Sequence, residues 1–209
     1  MQESVGDRQI GQYLDALGGE EPMPGGGSAA GIVGALAAAT AEMVASLTRE
    51  PGEDILAAKA ALIELRTRAL ECARDDEVAY GTFLESLKLP KSTDEEKAFR
   101  KAELAKAMEQ SARVPLALAI VAIEIINALE IVIRDGNKTV LGDAATSIVL
   151  AQATVDICEV NVNANLPFIK DEALADDLRT SIQAAGEMIV HLAAERRAQI
   201  NERNVDSIT

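Results

Sequence analysis

The sequence predicts an all-α fold, an antiparallel up-and-down helical bundle of about six helices, and three observations carry that expectation. Hydrophobic residues make up 48% of the chain but aromatic ones only 2%. Ala, Leu and Ile must therefore form the core, which suits closely packed helices better than stacked sheets. Apolar residues recur at three- and four-residue spacing, with no alternating β-branched run bounded by turns. Helix breakers also fall at intervals along the chain, at Gly18-Gly19, Pro51-Gly52, Leu89-Pro90, Asp135-Gly136-Asn137 and Leu166-Pro167. With 209 residues and no linker, repeat or low-complexity insert, residues 1–209 read as one domain with a substantial core.

The elements follow in order. A short first helix covers about Gly6 to Leu17 and ends at the glycine pair. The second runs from about Ser28 to Thr48, with Ser28 as its expected cap. Gly27, Gly31, Gly34 and a run of alanines on neighbouring turns let another helix pack closely against it. A long third helix spans about Glu53 to Leu87, with an apolar stripe of Leu62, Leu65, Ala69, Cys72, Ala79/Tyr80, Phe83 and Leu87. The fourth starts near Ser92-Thr93-Asp94-Glu95, a sequence of the capping-box type, and continues to about Ile133. Pro115 lies inside it and is expected to kink it. The fifth runs from Asp143, its expected cap, to about Asn165. The sixth runs from about Asp171 to Glu202, followed by a frayed tail, Asn204–Thr209.

Charge narrows the function classes. The formal net charge of −14 argues against nucleic acid and against an anionic membrane surface, both of which need a basic footprint. Met1 to Asp7 is polar, with no apolar stretch behind it, so no signal peptide is expected. Ser28 to Leu47 is the one segment the sequence offers as a membrane span. Its alanines and glycines, its Glu42 and its lack of flanking Trp or Tyr favour a buried core helix instead. Cys72 and Cys158 sit among apolar helical neighbours and read as reduced core thiols, which places the protein in the cytoplasm. Between Val114 and Ile133 the fourth helix is apolar nearly all round, broken mainly by Glu124 and Glu130. Covering such a helix calls for several neighbours, and a homodimer is the expected solution.

Four groups of residues carry possible chemistry. The first is the loop Pro24-Gly25-Gly26-Gly27-Ser28, entering a helix. A flexible turn with donors at a helix N-terminus can seat an anion or a carbonyl oxygen, or it can be only a turn before a tightly packed helix. Its glycine spacing formally fits a dinucleotide-binding pattern, but the preceding Leu17 to Pro24 cannot be a buried strand. The second is Asp76, whose three- and four-residue neighbours are Cys72, Ala73, Ala79 and Tyr80. A carboxylate on a buried stripe is costly and should have a raised pKa, which marks a working group unless this turn rolls out into water. Asp75 and Glu77 fall to either side, where solvated charge is expected. The third is the pair Asn161 and Asn165, one turn apart. They could hold a planar heterocycle through paired donor and acceptor edges, or they could simply end a fraying helix. The fourth is the lone His191, which reads as core or surface. One histidine leaves no paired Glu-x-x-His di-iron motif and no common zinc site, so no metal is expected. Any catalysis must then rest on carboxylates, amides and backbone dipoles.

Taken together, these residues resemble the cyclodeaminase/cyclohydrolase family of folate one-carbon enzymes, over nearly the whole chain. That family includes bacterial methenyltetrahydrofolate cyclohydrolases and the C-terminal half of formiminotransferase-cyclodeaminase. Pro22-Met23-Pro24-Gly25-Gly26-Gly27-Ser28 matches the family's Pro-Thr-Pro-Gly-Gly-Gly-Ser loop, with Met23 in place of Thr. Asp76 precedes the Ala79-Tyr80 pair, and Leu87-Lys88-Leu89-Pro90-Lys91 follows. Val114-Pro115-Leu116, Gly136-Asn137, Asp143 and Asn161-Val162-x-x-Asn165 complete the set in order. One stretch departs from the pattern: after Leu47-Thr48 the family's Gly-Lys-x-x-Tyr is replaced by Arg49-Glu50-Pro51-Gly52. The resemblance implies an all-helical, dimeric, metal-free enzyme that uses no cofactor and acts on a tetrahydrofolate substrate. It implies hydrolysis of 5,10-methenyltetrahydrofolate to 10-formyltetrahydrofolate with Asp76 catalytic. Gly25, Gly26, Gly27, Ser28, Asp143, Asn161 and Asn165 would bind substrate, and Lys88, Lys91 and Lys138 are candidates for the glutamate tail. Cyclodeamination of formimino-tetrahydrofolate, or a non-catalytic helical scaffold, are the alternatives.

Overall fold

A computed structural model describes residues 5–7 and 9–205. The described chain is all helical, with α1 at Ile10–Leu17, α2 at Gly26–Ser46, α3 at Glu53–Lys88, α4 at Asp94–Asp135, α5 at Leu141–Asn165 and α6 at Glu172–Val205. The expected boundaries hold to within about two residues at most ends. The frayed tail was expected from Asn204, but the helix continues through Val205, and residues 206–209 lie outside the described set.

Small side chains decide how the helices pack. α2 buries Ala30, Ala37, Ala38 and Ala41 completely, and it lies antiparallel against both α3 and α5. A methyl added to Gly31 would stand 2.6 Å from the Cβ of Ala73 on α3, so only glycine allows this approach. Ser147 of α5 donates to the Ala37 carbonyl over 2.7 Å, deep in the bundle. At the far end of α2, the Asn137 main chain donates to Thr48 Oγ1 and its amide to the Leu47 carbonyl. α4 and α6 complete the core through Ile125, Ile126, Leu129, Ile182 and Ile189, none of them accessible.

The structure sharpens several expectations and corrects others. α4 carries Pro115 inside one continuous helical span, as the sequence places it. The carbonyl that a proline deprives of its partner is the one four residues back, on Ser111, and Asn165 supplies the missing donor over 3.1 Å. Within the Val114–Ile133 segment the chain's own helices bury Leu118, Ile125, Ile126, Leu129 and Ile133, while Ile120 stays exposed. The capping box of α4 pairs Thr93 with Glu96. α5 begins at Leu141 with Val140 at its cap position, so Asp143 is a first-turn residue rather than the cap. By length and composition three segments could cross a membrane, Gly26–Ser46, Asp94–Asp135 and Lys138–Phe168. The sequence singled out only the first, because charged flanks dilute the apolar stretches of the other two.

Candidate functional site

The site grows from the first turn of α2. That helix starts at Gly26, with Gly25 in the cap position and no capping side chain of its own. Ser28 is therefore not the cap: it sits inside the first turn, fully buried. Its main-chain N–H, one of the orphan donors of a helix start, donates to the carboxylate of Asp76 on α3. Asp76 thus does from another helix what a capping residue does locally. Gly27 makes this possible, since a Cβ there would overlap the Asp76 carboxylate itself. Gly26 lies beside Asn161 of α5, where an added methyl would be 3.7 Å from Oδ1. Loop, carboxylate and amide therefore meet at one end of the bundle.

Asp76 is half-buried and its pKa is raised above the ordinary carboxylate range. Desolvation is the largest cause, and the negative charge of Glu77 adds to it. The Ser28 N–H opposes both without prevailing. Among the described residues no cation pairs with Asp76.

Glu77 is the residue that sequence reasoning missed. Expected on a solvated flank, it is 4% exposed and accepts a 3.0 Å bond from the Ser28 hydroxyl. That hydroxyl also pairs at 3.0 Å with the phenol of Tyr13, which α1 buries. The cause is a rotation of α3. Beyond Ala69 the buried stripe passes through Ala73 and Glu77 rather than Cys72, because Gly31 draws α2 onto Ala73 and leaves Cys72 half-covered. Burial pushes the Cys72 thiol up to about 11. The signal that could have revealed Glu77 was the pairing of Gly31 with Ala73, which shifts the seam by one residue.

The remaining expected site residues divide. Asn161 spends its Nδ2 on the Ile157 carbonyl at 2.8 Å, which leaves Oδ1 toward Gly26. Asn165 donates to the carbonyls of Asn161 and Ser111, so its amide nitrogen is occupied in tying α5 to α4. Asp143 and Lys138 are not brought to Asp76 within one chain. They belong to the end of α5 that pairs with Ala37 and Leu47, roughly 15 Å or more along α2 from Gly27. The antiparallel pairing of α2 with α5 makes this unavoidable. Lys88 is exposed and paired with Glu85 at 2.6 Å, whereas Lys91 lines a separate groove. The exposed His191 pairs with Glu195. Among the described residues no cluster of three or more His, Cys, Asp or Glu could hold a metal ion.

The fold and this site define a helical bundle protein whose polar centre is a carboxylate held at a helix N-terminus beside a glycine loop and an asparagine amide. A family model described as formiminotransferase-cyclodeaminase matches residues 9–184, and the chain belongs to that family. It is 34% identical to a methenyltetrahydrofolate cyclohydrolase of Methylorubrum extorquens, over 98% of this chain and 97% of that protein. It is 28% identical to the formimidoyltransferase-cyclodeaminase of Gallus gallus over 79% of this chain, which spans only 32% of that longer protein. The crystal structure of a formiminotetrahydrofolate cyclodeaminase from Thermotoga maritima superimposes with a TM-score of 0.83. Identity to it is 25%, over 95% of this chain and 98% of that one.

Proposed function

We propose that this protein hydrolyses 5,10-methenyltetrahydrofolate to 10-formyltetrahydrofolate, with Asp76 as the group that moves the proton. The observation that carries the reading is the Asp76 carboxylate, held by the Ser28 N–H, partly desolvated and unpaired with any described cation. The similarity in length and sequence to a methenyltetrahydrofolate cyclohydrolase supports the choice of substrate.

The methenyl carbon lies between two nitrogens that share a positive charge, so it is already electrophilic. A carboxylate beside it attracts the cation and accepts a proton from the attacking water as the carbinolamine forms. The protonated Asp76 then returns that proton to the pterin nitrogen as its bond to carbon breaks. One water is consumed, and the loss of the amidinium charge releases one net proton. A raised pKa suits this exchange, because a base works best when its pKa lies near the working pH. The Asn161 Oδ1 and the Gly25–Ser28 loop hold the pterin end. Asn165 acts by fixing Asn161, whose carbonyl it grips.

The protein works as a homodimer in the cytoplasm. An exposed apolar stripe, Leu36 and Met43 on α2 with Leu47 just past its end, supports the dimer, and the two free thiols fit a reducing compartment. Asp143 and Lys138 would then serve substrate only from a second copy.

The test follows the loss of methenyltetrahydrofolate absorbance with and without the protein. Loss well above the buffer rate is expected, together with a dimeric mass in solution. Loss at the buffer rate rejects the proposal. Ammonia release from the formimino substrate would favour cyclodeamination instead, the reaction for which the Thermotoga protein is named.

A further inference from the structure

α2 begins on three glycines. Gly25 stands at the cap position and Gly26 and Gly27 open the helix, with no capping side chain among them. Glycines leave a backbone free to move rather than fixing it. Yet the N–H that holds Asp76 comes from the next residue, Ser28. Something other than the loop must set its position.

The Ser28 side chain meets that need. Its hydroxyl is out of water and donates to Glu77 Oε1 over 3.0 Å. A serine has one hydroxyl proton, so the 3.0 Å contact with Tyr13 runs the other way, the phenol donating to Ser28 Oγ. The result is a directed chain, Tyr13 to Ser28 to Glu77, in which each bond polarises the next. Adjacent residues of α3 therefore grip one serine from two sides: Asp76 takes its main-chain N–H and Glu77 its hydroxyl. The phenol arrives from α1, fifteen positions earlier in sequence. That helix has eight residues and no capping side chain, too short to persist alone. Tyr13 is its one buried residue, while Ile10 and Leu14 face solvent. The ring packs on Ala73, one turn before Asp76 and Glu77, with Val5 beside it. So α1 is fastened over the turn of α3 that carries both carboxylates, and a tyrosine is its fastening.

We infer that Tyr13 is a positioning residue: its phenol proton fixes the Ser28 hydroxyl on Glu77, and through that one residue the N–H on which Asp76 rests. Its effect on turnover rests on the reading of Asp76 as the group that moves the proton. Of the titratable groups around Asp76, Glu77, Cys72 and Tyr80 share its helix, Cys158 approaches from α5, and α2 brings only the Ser28 N–H. Loosening the serine removes the influence that lowers the Asp76 carboxyl and leaves those that raise it.

The experiment uses Tyr13→Phe, which keeps the buried ring and removes only the hydroxyl, with Ser28→Ala and the double variant beside it. Each is followed by carbon-13 NMR titration of the Asp76 carboxyl and by methenyltetrahydrofolate hydrolysis across pH. Tyr13→Phe should move the Asp76 titration to higher pH, and the acid limb of kcat/KM with it. It should lower kcat about fivefold at unchanged KM, the worth of one buried hydrogen bond. The double variant should be no worse than Ser28→Ala alone, because both changes act through one oxygen. A Tyr13→Phe protein that melts lower but keeps the wild-type titration and kcat would make the tyrosine a packing residue and overturn the inference. Additive losses in the double variant would also overturn it, as would a titration moved to lower pH, which traces to Glu77 rather than to the N–H. If the wild type turns over no substrate, the reaction proposal fails, and the Asp76 titration alone still decides the fastening: moved upward in Tyr13→Phe it stands, unmoved it falls.

Discussion

Two carboxylates at opposite ends of the bundle are treated in opposite ways. Near the C-terminal end of α2, Asp135 is clasped by Arg134, which also reaches Asp54, and its carboxyl is held below the usual range. Near the N-terminal end, Asp76 has only a main-chain N–H to hold it, and burial with the Glu77 charge keeps its carboxyl above that range. The polar groups around Asp135 are spent on structure: Asn137 ties down Leu47 and Thr48, and Arg203 takes the Gly136 carbonyl. Those around Asp76 are arranged about a carboxylate the fold does not neutralise. A destabilising arrangement retained at one end only, where three consecutive glycines make room for it, marks the working end.

The sharpest way to break this contrast is to neutralise each carboxylate in turn. Asp76→Asn should lower kcat by roughly a hundred- to ten-thousandfold, the usual worth of a positioned acid–base group, while Asp135→Asn leaves turnover alone. Stability should move the other way. A carboxyl whose folded pKa is raised binds more protons folded than unfolded, so its contribution falls as pH rises from the ordinary carboxylate value through the raised one. Thermal melting should therefore find Asp76→Asn as stable as the wild type near pH 4 and relatively more stable at pH 7. A lower melting temperature at pH 7 would count against the unpaired carboxylate.

Gly27→Ala comes next. Its methyl would overlap the Asp76 carboxylate and push it off the Ser28 N–H. A misplacement of that order costs roughly a hundredfold in turnover. Gly142→Ala, with nothing within 4 Å of its added methyl, should keep full activity in the same assay.

Asn165→Ala should destabilise rather than disable. It leaves the Ser111 carbonyl without the donor that Pro115 cannot provide, at about 1–3 kcal/mol by denaturant unfolding. In a Pro115→Ala background, where the helix can supply that donor itself, the loss should shrink. An undiminished loss there would mean that Asn165 serves something other than the proline.

The smallest effect belongs to Glu77→Gln. The amide oxygen can still accept from Ser28, but the like charge beside Asp76 is gone. The acid limb of kcat/KM should shift to lower pH, because the Glu77 charge helps to raise the Asp76 carboxyl. A shift to higher pH would reverse the assignment of that charge.

Much of this was legible in the sequence. Alanine-rich seams and Gly/Pro breakers define helices whose small residues leave few packing choices, and Asp76 announced itself as a charge on an apolar stripe. Glu77 and Tyr13 were hidden because their burial depends on a rotation of α3 by one residue, set by a contact 42 positions away in sequence between Gly31 and Ala73. The remoteness of Asp143 follows from topology, which spacing does not encode. The role of Asn165 was within reach: a mid-helix proline frees the carbonyl four residues back, and something must donate to it.

The most direct measurement is a carbon-13 NMR titration of the aspartate carboxyls, set beside the pH dependence of methenyltetrahydrofolate hydrolysis. One aspartate signal, absent from Asp76→Asn, should titrate above the ordinary carboxylate range and coincide with the acid limb of kcat/KM. An Asp76 signal that titrates at or below the ordinary value, or an acid limb that persists unchanged without it, would contradict the account.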